Sequence, residues 1–189
     1  KYVGTPHYAV PGCEGANYCS FIFARFDQPL DSLRGGIAAF NNPDSMSGML
    51  ALKLVFAPFA ANGKFFAKAL HSGGHVKSMI AVRDGLADVC AIDAVCVAMA
   101  RRYRPDYLEG LVEIARSPSV PGLPYVTRGG GIEAMRQGLV AAFADSDLQD
   151  CREQLFLSGH SVLRPNAYER ITDLESVMQM AGGLDLNDD

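Results

Sequence analysis

The segment Phe40-Asn41-Asn42-Pro43-Asp44-Ser45-Met46-Ser47-Gly48 carries the densest chemistry of this chain. An apolar run over Gly36–Phe40 stops at an Asn-Asn-Pro-Asp turn. Small hydroxyl residues and a glycine then open an apolar helix that reaches about Phe56. Such a junction aims backbone N–H groups, a helix dipole and the Ser45 and Ser47 hydroxyls at one place, which suits an anion. The same residues equally suit an ordinary capped helix, with Asp44 or Ser45 as its N-cap.

Two further segments weigh on that choice. Ser72-Gly73-Gly74-His75 follows a short apolar run and precedes Val76, Met79, Ile80 and Val82, which are spaced as on a helix. Its adjacent glycines let the backbone come close to a ligand at another helix N-terminus. Ala87-Asp88-Val89-Cys90-Ala91-Ile92-Asp93 reads as a buried strand ending in a carboxylate, with a helix following from Ala94 to Arg102. In open α/β sheets ligands sit beyond the carboxyl ends of strands. One cleft can therefore hold all three segments.

The elements that must position them alternate strand and helix. Ser20–Arg25 reads as a strand broken by Asp27-Gln28-Pro29, and Gly110–Arg116 as another. Ser117 to Pro124 is a proline-stiffened connector. Beyond it, Ile132, Met135, Leu139 and Phe143 form one helical stripe, Leu148, Cys151 and Leu155 a second, and Tyr168, Ile171, Leu174 and Val177 a third. Gly129-Gly130-Gly131 opens the first of these helices and reads as a flexible connector, with an anion site as the alternative. Leu184–Asp189 reads as a frayed acidic tail. The order of the middle section argues for an α/β fold with a mainly parallel sheet.

Composition narrows the function. With 189 residues, 49% hydrophobic and 20% charged, the chain is expected to fold around a substantial core. A net charge of −4 and the lack of any Lys/Arg block argue against a nucleic-acid partner. No apolar run is long enough to span a membrane. The chain begins at Lys1 without a signal peptide, as a mature or trimmed product would. Its five cysteines show no metal-type CxxC pairing. Cys90 and Cys96 read as core residues; Cys13 is the one expected to be exposed or bridged, to Cys19 or to a partner elsewhere. His71 and His75 are four apart, but the glycines between them break the helix that a zinc pair would need. Neither a GxSxG nucleophile elbow nor a Walker loop is present.

Taken in order, Asn42–Gly48, Ser72–His75, Ala87–Asp93 and Pro121-Gly122-Leu123-Pro124 resemble the periplasmic substrate-binding proteins of ABC transporters for phosphate, phosphite and phosphonates. Val3-Gly4-Thr5-Pro6-His7-Tyr8 and Pro11-Gly12-Cys13-Glu14-Gly15 look like one branch of that family. The resemblance covers Val3 to Val126 well and the final helices loosely. It implies an α/β, two-lobed periplasmic-binding-protein-like fold with mainly parallel sheets, whose ligand is clamped as the lobes close. Residues 1–25 and 119–189 would form lobe 1, and 26–118 lobe 2. Family members carry a further βα-rich segment ahead of the part that matches residue 3, so lobe 1 is expected to be incomplete. A partner for Cys13 would then lie in that segment, and a disulfide would fit an oxidising periplasm.

By the same resemblance, Ser45, Met46 and Ser47 would grip the phosphonyl oxygens. Met46 stands where the family often has a hydroxyl, so it offers its backbone N–H alone, which would either weaken binding or favour an apolar substituent on the ligand. His75 would donate to an anion oxygen, with a packed loop histidine as the alternative. Asp93, a carboxylate facing an anion, repels it unless the ligand presents a proton. Phosphite, phosphate and phosphonates retain a P–OH proton near neutral pH and sulfate does not; the ammonium of an aminophosphonate would serve as well. The alternative for Asp93 is a helix N-cap. Tyr8 and Ser78 are lesser cleft candidates, more in keeping with structural roles. The resemblance implies a periplasmic solute-binding protein without cofactor or metal that hands a small phosphorus anion to an ABC permease and meets the membrane only through that transporter. An enzyme or a ligand sensor on the same fold, using Cys13, Cys90 or His75, is the alternative.

Overall fold

The computed structural model describes residues 1–186. In chain order the strands are β1 (Tyr2–Tyr8), β2 (Cys13–Glu14), β3 (Asn17–Tyr18), β4 (Ser20–Ala24), β5 (Ile37–Phe40), β6 (Lys68–His71), β7 (Val89–Asp93), β8 (Val112–Arg116), β9 (Val120–Pro121), β10 (Tyr125–Val126) and β11 (Leu157–Ser161). The α-helices are α1 (Ala51–Phe56), α2 (His75–Arg83), α3 (Ala94–Tyr103), α4 (Ile132–Ala144), α5 (Gln149–Gln154) and α6 (Glu169–Met180).

Five strands in the order β6-β5-β7-β4-β8 form the central layer of lobe 2. Side chains alternate across it, as a pleated strand requires. Phe21, Phe23, Ala39, Cys90 and Ile92 face α2 and α3, where they meet Met79, Val82 and Val97. Ile22, Ala38, Phe40, Val89 and Ala91 face the other way, onto Leu52, Phe56 and Phe65. Both faces are covered, so these strands read as nearly continuous apolar runs. Each fully buried Ile or Phe contributes about 1.5–3 kcal/mol of hydrophobic stabilisation.

The sheet corrects the expectation of mainly parallel strands. Among the described residues only the β5–β6 and β5–β7 pairs are parallel. Strand β4 lies antiparallel between β7 and β8, with Ser20 opposite Asp93 and Phe21 opposite Arg116. The βαβ pattern of the middle section is local and was readable; the strands that enter and leave the lobe carry no such signal.

The expected lobe boundaries shift for the same reason. Strand β4, placed in lobe 1 by the division at residue 25, is an interior strand of the lobe 2 sheet. The crossovers lie just outside it, where the Ser117 N–H donates to the Ser20 carbonyl at 2.9 Å and the Ser20 N–H donates to Ser117 Oγ at 2.9 Å. A small sheet, β2-β3-β9, stands beside them.

Lobe 1 has an antiparallel sheet in the order β10-β1-β11, covered by α4. Strands β1 and β11 escape periodicity because their polar residues are paid for by pairing: Pro6 stands opposite His160 and His7 opposite Gly159. Thr5, fully buried, meets the hydroxyls of Tyr2 at 2.9 Å and Tyr168 at 2.7 Å. Tyr168 also donates to the Gly122 carbonyl at 2.8 Å, tying the start of α6 to the crossover. Helix α4 buries no residue fully, and its expected stripe is half-covered at best.

The C-terminal region does not stay with lobe 1. Helix α6 packs on α1, and its stripe ends on buried Met178 rather than Val177, which is 60% exposed. Leu184 and Leu186 are buried in the same apolar layer as Leu52 and Phe65, and the Asp185 N–H donates to the Gly63 carbonyl at 2.8 Å. The frayed tail expected from Leu184 onward is therefore corrected for 184–186; residues 187–189 lie outside the described part. Leu184→Ala is expected to cost about 2–3 kcal/mol in urea unfolding, as for a core leucine. A change below about 0.5 kcal/mol would mean that the tail frays after all.

Candidate functional site

The parallel strands β5, β6 and β7 all end at one edge of the sheet, so the loops that follow them converge there. Strand β4 begins at that same edge because it runs antiparallel, which brings Tyr18 and Cys19 alongside Asp93. Lobe 1 hangs from this edge through the crossovers. The site is thus a consequence of strand direction.

After β5, Ser45 caps the helix: its Oγ accepts the Gly48 N–H at 3.0 Å. The first turn, Met46–Leu50, is a π-turn in which the Met49 and Leu50 N–H groups both donate to the Ser45 carbonyl, at 3.1 and 3.0 Å. Its wider loop leaves the Met46 and Ser47 N–H groups ahead of the first intrahelical bond, free for a ligand. Asn41 packs its Oδ1 directly over Gly48, where no side chain would fit. Ser47, buried, lies 3.5 Å from Ser45 Oγ and 2.9 Å from His75 Nε2.

His75 opens α2 after the Ser72-Gly73-Gly74 turn, in which Gly73 takes a φ of 82° that favours glycine. Its Nδ1 is buried without a well-formed hydrogen bond. Burial lowers the His75 pKa from its ordinary value, against the opposing pull of the Asp93 charge and the Ala91 backbone. The ring is therefore neutral at pH 7 in the free protein, and Ser47 fixes its Nε2 edge.

Asp93 ends β7 and is 4% exposed. Its Oδ1 accepts from the Val95 N–H at 2.7 Å and the Cys96 N–H at 3.3 Å, so it caps α3. The cap and the ligand role expected of Asp93 are compatible, because both bonds fall on Oδ1 and the residue lines the adjoining cavity. Burial raises the Asp93 pKa above the usual carboxylate range, and the two amide hydrogen bonds offset only part of this. A carboxyl in that state readily accepts or shares a ligand proton.

The cavity, about 120 Å³, lies between the lobes and is lined by Tyr8, Tyr18, Asp93, Cys96 and Leu123, among others. Tyr18 is the residue that sequence reasoning missed. Burial and then the Asp93 charge push its hydroxyl pKa up, while a hydrogen bond with Ser47 opposes them. It lines the cavity together with Tyr8 and Asp93. The one available signal was an aromatic placed two residues ahead of a strand at a chain crossing.

The remaining candidates separate. Ser78 is fully buried, with its Oγ 2.7 Å from Ser72 Oγ, and so braces the glycine turn. Met46 lines a depression of about 200 Å³ together with Ser45, Lys53, Ile171 and Glu175, apart from the Asp93 cavity. His71 stacks on Phe40 with ring centroids 5.2 Å apart. All five cysteines are free. Cys13 pairs with Tyr18 across the β2–β3 ladder, so Cys19, one residue on, points to the opposite face. That pairing disfavours the Cys13–Cys19 bridge, and Cys96 is half-buried rather than a core residue. Burial pushes the Cys13 and Cys96 thiols to about 12, which leaves them poor nucleophiles.

Two α/β lobes on paired crossovers, with helix N-termini aimed at the gap, define the class of two-lobed periplasmic binding proteins. Within it, the chain belongs to the periplasmic substrate-binding proteins of phosphonate ABC transporters, whose family model matches residues 8–175. PhnD1 from Prochlorococcus marinus, solved with methylphosphonate, superposes with a TM-score of 0.75 at 14% identity, covering 94% of this chain and 72% of that one. A binding-protein component of a Pseudomonas aeruginosa phosphonate transporter gives 0.71 at 18% identity, over 95% of this chain and 64% of that one. XAC2383 from Xanthomonas citri, bound to ATP, gives 0.66 at 20%, over 96% and 71%. At such identities these likenesses speak to the fold. No curated protein matches the chain.

Proposed function

We propose that this chain captures a small phosphorus oxyanion or phosphonate in the periplasm and delivers it, without chemical change, to an ABC permease. The carrying observation is that Ser45, Ser47, His75, Tyr18 and Asp93 meet at one sheet edge without an arginine or lysine among them. Backbone N–H groups, hydroxyls and a helix dipole bind a localised anion without requiring a fixed cation. Asp93 then selects for an anion that still carries a proton. Family membership agrees with a carrier, and the high thiol pKa values argue against a cysteine nucleophile.

Titration with methylphosphonate, phosphate, phosphite and sulfate, read by melting temperature, tests this reading. A ligand at one hundred times its Kd adds about 2.7 kcal/mol of stability, enough to move the melting point by several degrees. At least one phosphorus anion should do so and sulfate should not. Equal shifts with sulfate, or none with any ligand, would refute it.

A further inference from the structure

We propose that the groove between α2 and α3 takes the hydrocarbon tail of a phosphonate whose head sits against Ser47 and His75. This rests on the binding role proposed above and adds the class of substituent: an alkyl or aryl group of several carbons.

The groove is set by topology. Helices α2 and α3 both start at the binding edge and pack on the same face of the sheet. Between them lies a space of about 290 Å³, walled by Val76 and Met79 from α2 and by Val95, Met99 and Ala100 from α3. Its lining is almost wholly carbon and sulfur. Water there finds few polar partners, whereas a cavity of roughly 150 Å³ with such walls already suits benzene. The methionine side chains adapt to tails of different shape.

Its two ends differ. The far end closes on Tyr103, Tyr107 and Arg104. The Arg104 guanidinium lies 4.1 Å from the Tyr107 ring centroid and is paired with Asp106 at 2.9 Å, so no free charge awaits a second polar group there. The near end is His75, whose Nε2 contacts Ser47 while its ring borders the groove. Val95 and Cys96 wall both this groove and the Asp93 cavity. A ligand anchored at Ser47 and His75 therefore meets apolar surface as soon as its substituent passes the α3 N-terminus. Val76, on the groove wall, is 40% exposed.

Calorimetric titration of the full chain with methyl-, propyl-, hexyl- and benzylphosphonate tests the proposal. Each methylene buried in the groove should tighten binding by about fourfold until its length is filled. Val76→Gln and Met99→Gln, polar but uncharged and on separate helices, should flatten the series and leave methylphosphonate affinity unchanged. Equal affinity across the series in the unmodified protein, with methylphosphonate bound, would overturn the groove and spare the head-group site. Failure of every phosphonate to bind would remove the head-group site and this inference with it. Hexanol binding as tightly as hexylphosphonate would also overturn it, because the groove would then act apart from the anion. Self-association lost on Val76→Gln, without chain-length dependence, would assign the face to a second copy instead.

Discussion

Asp93→Asn should weaken methylphosphonate binding by about 100-fold while raising the melting temperature of the free protein at pH 7. The binding loss follows from the carboxylate oxygen that the cap leaves without a hydrogen bond, on a residue that lines the cavity. An amide that keeps its oxygen on the Val95 and Cys96 N–H groups turns its NH₂ toward the ligand, where the P–OH proton then has no acceptor. Losing a hydrogen bond to a charged group and leaving the ligand donor unpaired costs about 2–3 kcal/mol, or 30- to 150-fold. Sulfate, which brings no proton and is repelled by the carboxylate, should bind more tightly to the variant than to the parent. The stability gain follows from burial, which raises the Asp93 pKa in the folded state. Between the ordinary carboxylate value, about 3.9, and the raised native one, the folded state holds the extra proton. Folding therefore loses stability as pH rises through that window, and Asn, an equally good cap, removes the loss. The melting-point advantage of the variant should be largest at neutral pH and vanish below about pH 3, where Asp93 is protonated in both states. His75 has the opposite sign: its lowered pKa makes folding less favourable as pH falls below about 6.5. Because the Asp93 charge also pulls on His75, the difference between the two profiles reports the coupled pair, with the Asp93 part falling below the ordinary histidine range. An unchanged methylphosphonate Kd in Asp93→Asn would remove Asp93 from the site.

Gly48→Ala is expected to abolish measurable phosphonate binding and to destabilise the chain by about 2–3 kcal/mol. Space is the reason, since Gly48 lies in the π-turn and has no left-handed φ. A Cβ there would stand 1.7 Å from Asn41 Oδ1 and 3.3 Å from the Asn41 backbone nitrogen. Something must move, and overpacking of this kind costs about 1–3 kcal/mol. Asn41 Oδ1 is already buried without a hydrogen bond, so no existing partner guides its retreat. The strain falls on the turn that aims the Met46 and Ser47 N–H groups and holds Ser45 as cap. Adding Asn41→Ala to Gly48→Ala should recover much of the stability, because the clash needs both side chains. Urea unfolding and methylphosphonate titration of the two single variants and the double variant decide this. A Gly48→Ala protein within 0.5 kcal/mol of the parent, with binding intact, would show that the turn adjusts freely.

Much of the candidate site was legible in the sequence because its signals are local. A strand stopping at Asn-Asn-Pro-Asp, a Ser-Gly-Gly-His turn and a strand ending in Asp93 each combine a break with a helix start inside ten or so residues. Ser45, Ser47, His75 and Asp93 follow from those breaks, and the βαβ order from strand and helix periodicity. Other features depend on which distant segments pair. Nothing near Tyr18 says that β4 runs antiparallel beside β7, yet that register, Ser20 opposite Asp93, puts the tyrosine next to the carboxylate. The short strands of lobe 1 lack apolar alternation and exist through their partners. Leu184 and Leu186 read as tail until the far side of the lobe 2 sheet claims them. Sequence determined the chemistry offered at each strand end, since caps, glycines and hydroxyls act within a turn or two of themselves. Tertiary structure decided which ends share a cleft, because strand direction is settled by burying both faces of one sheet.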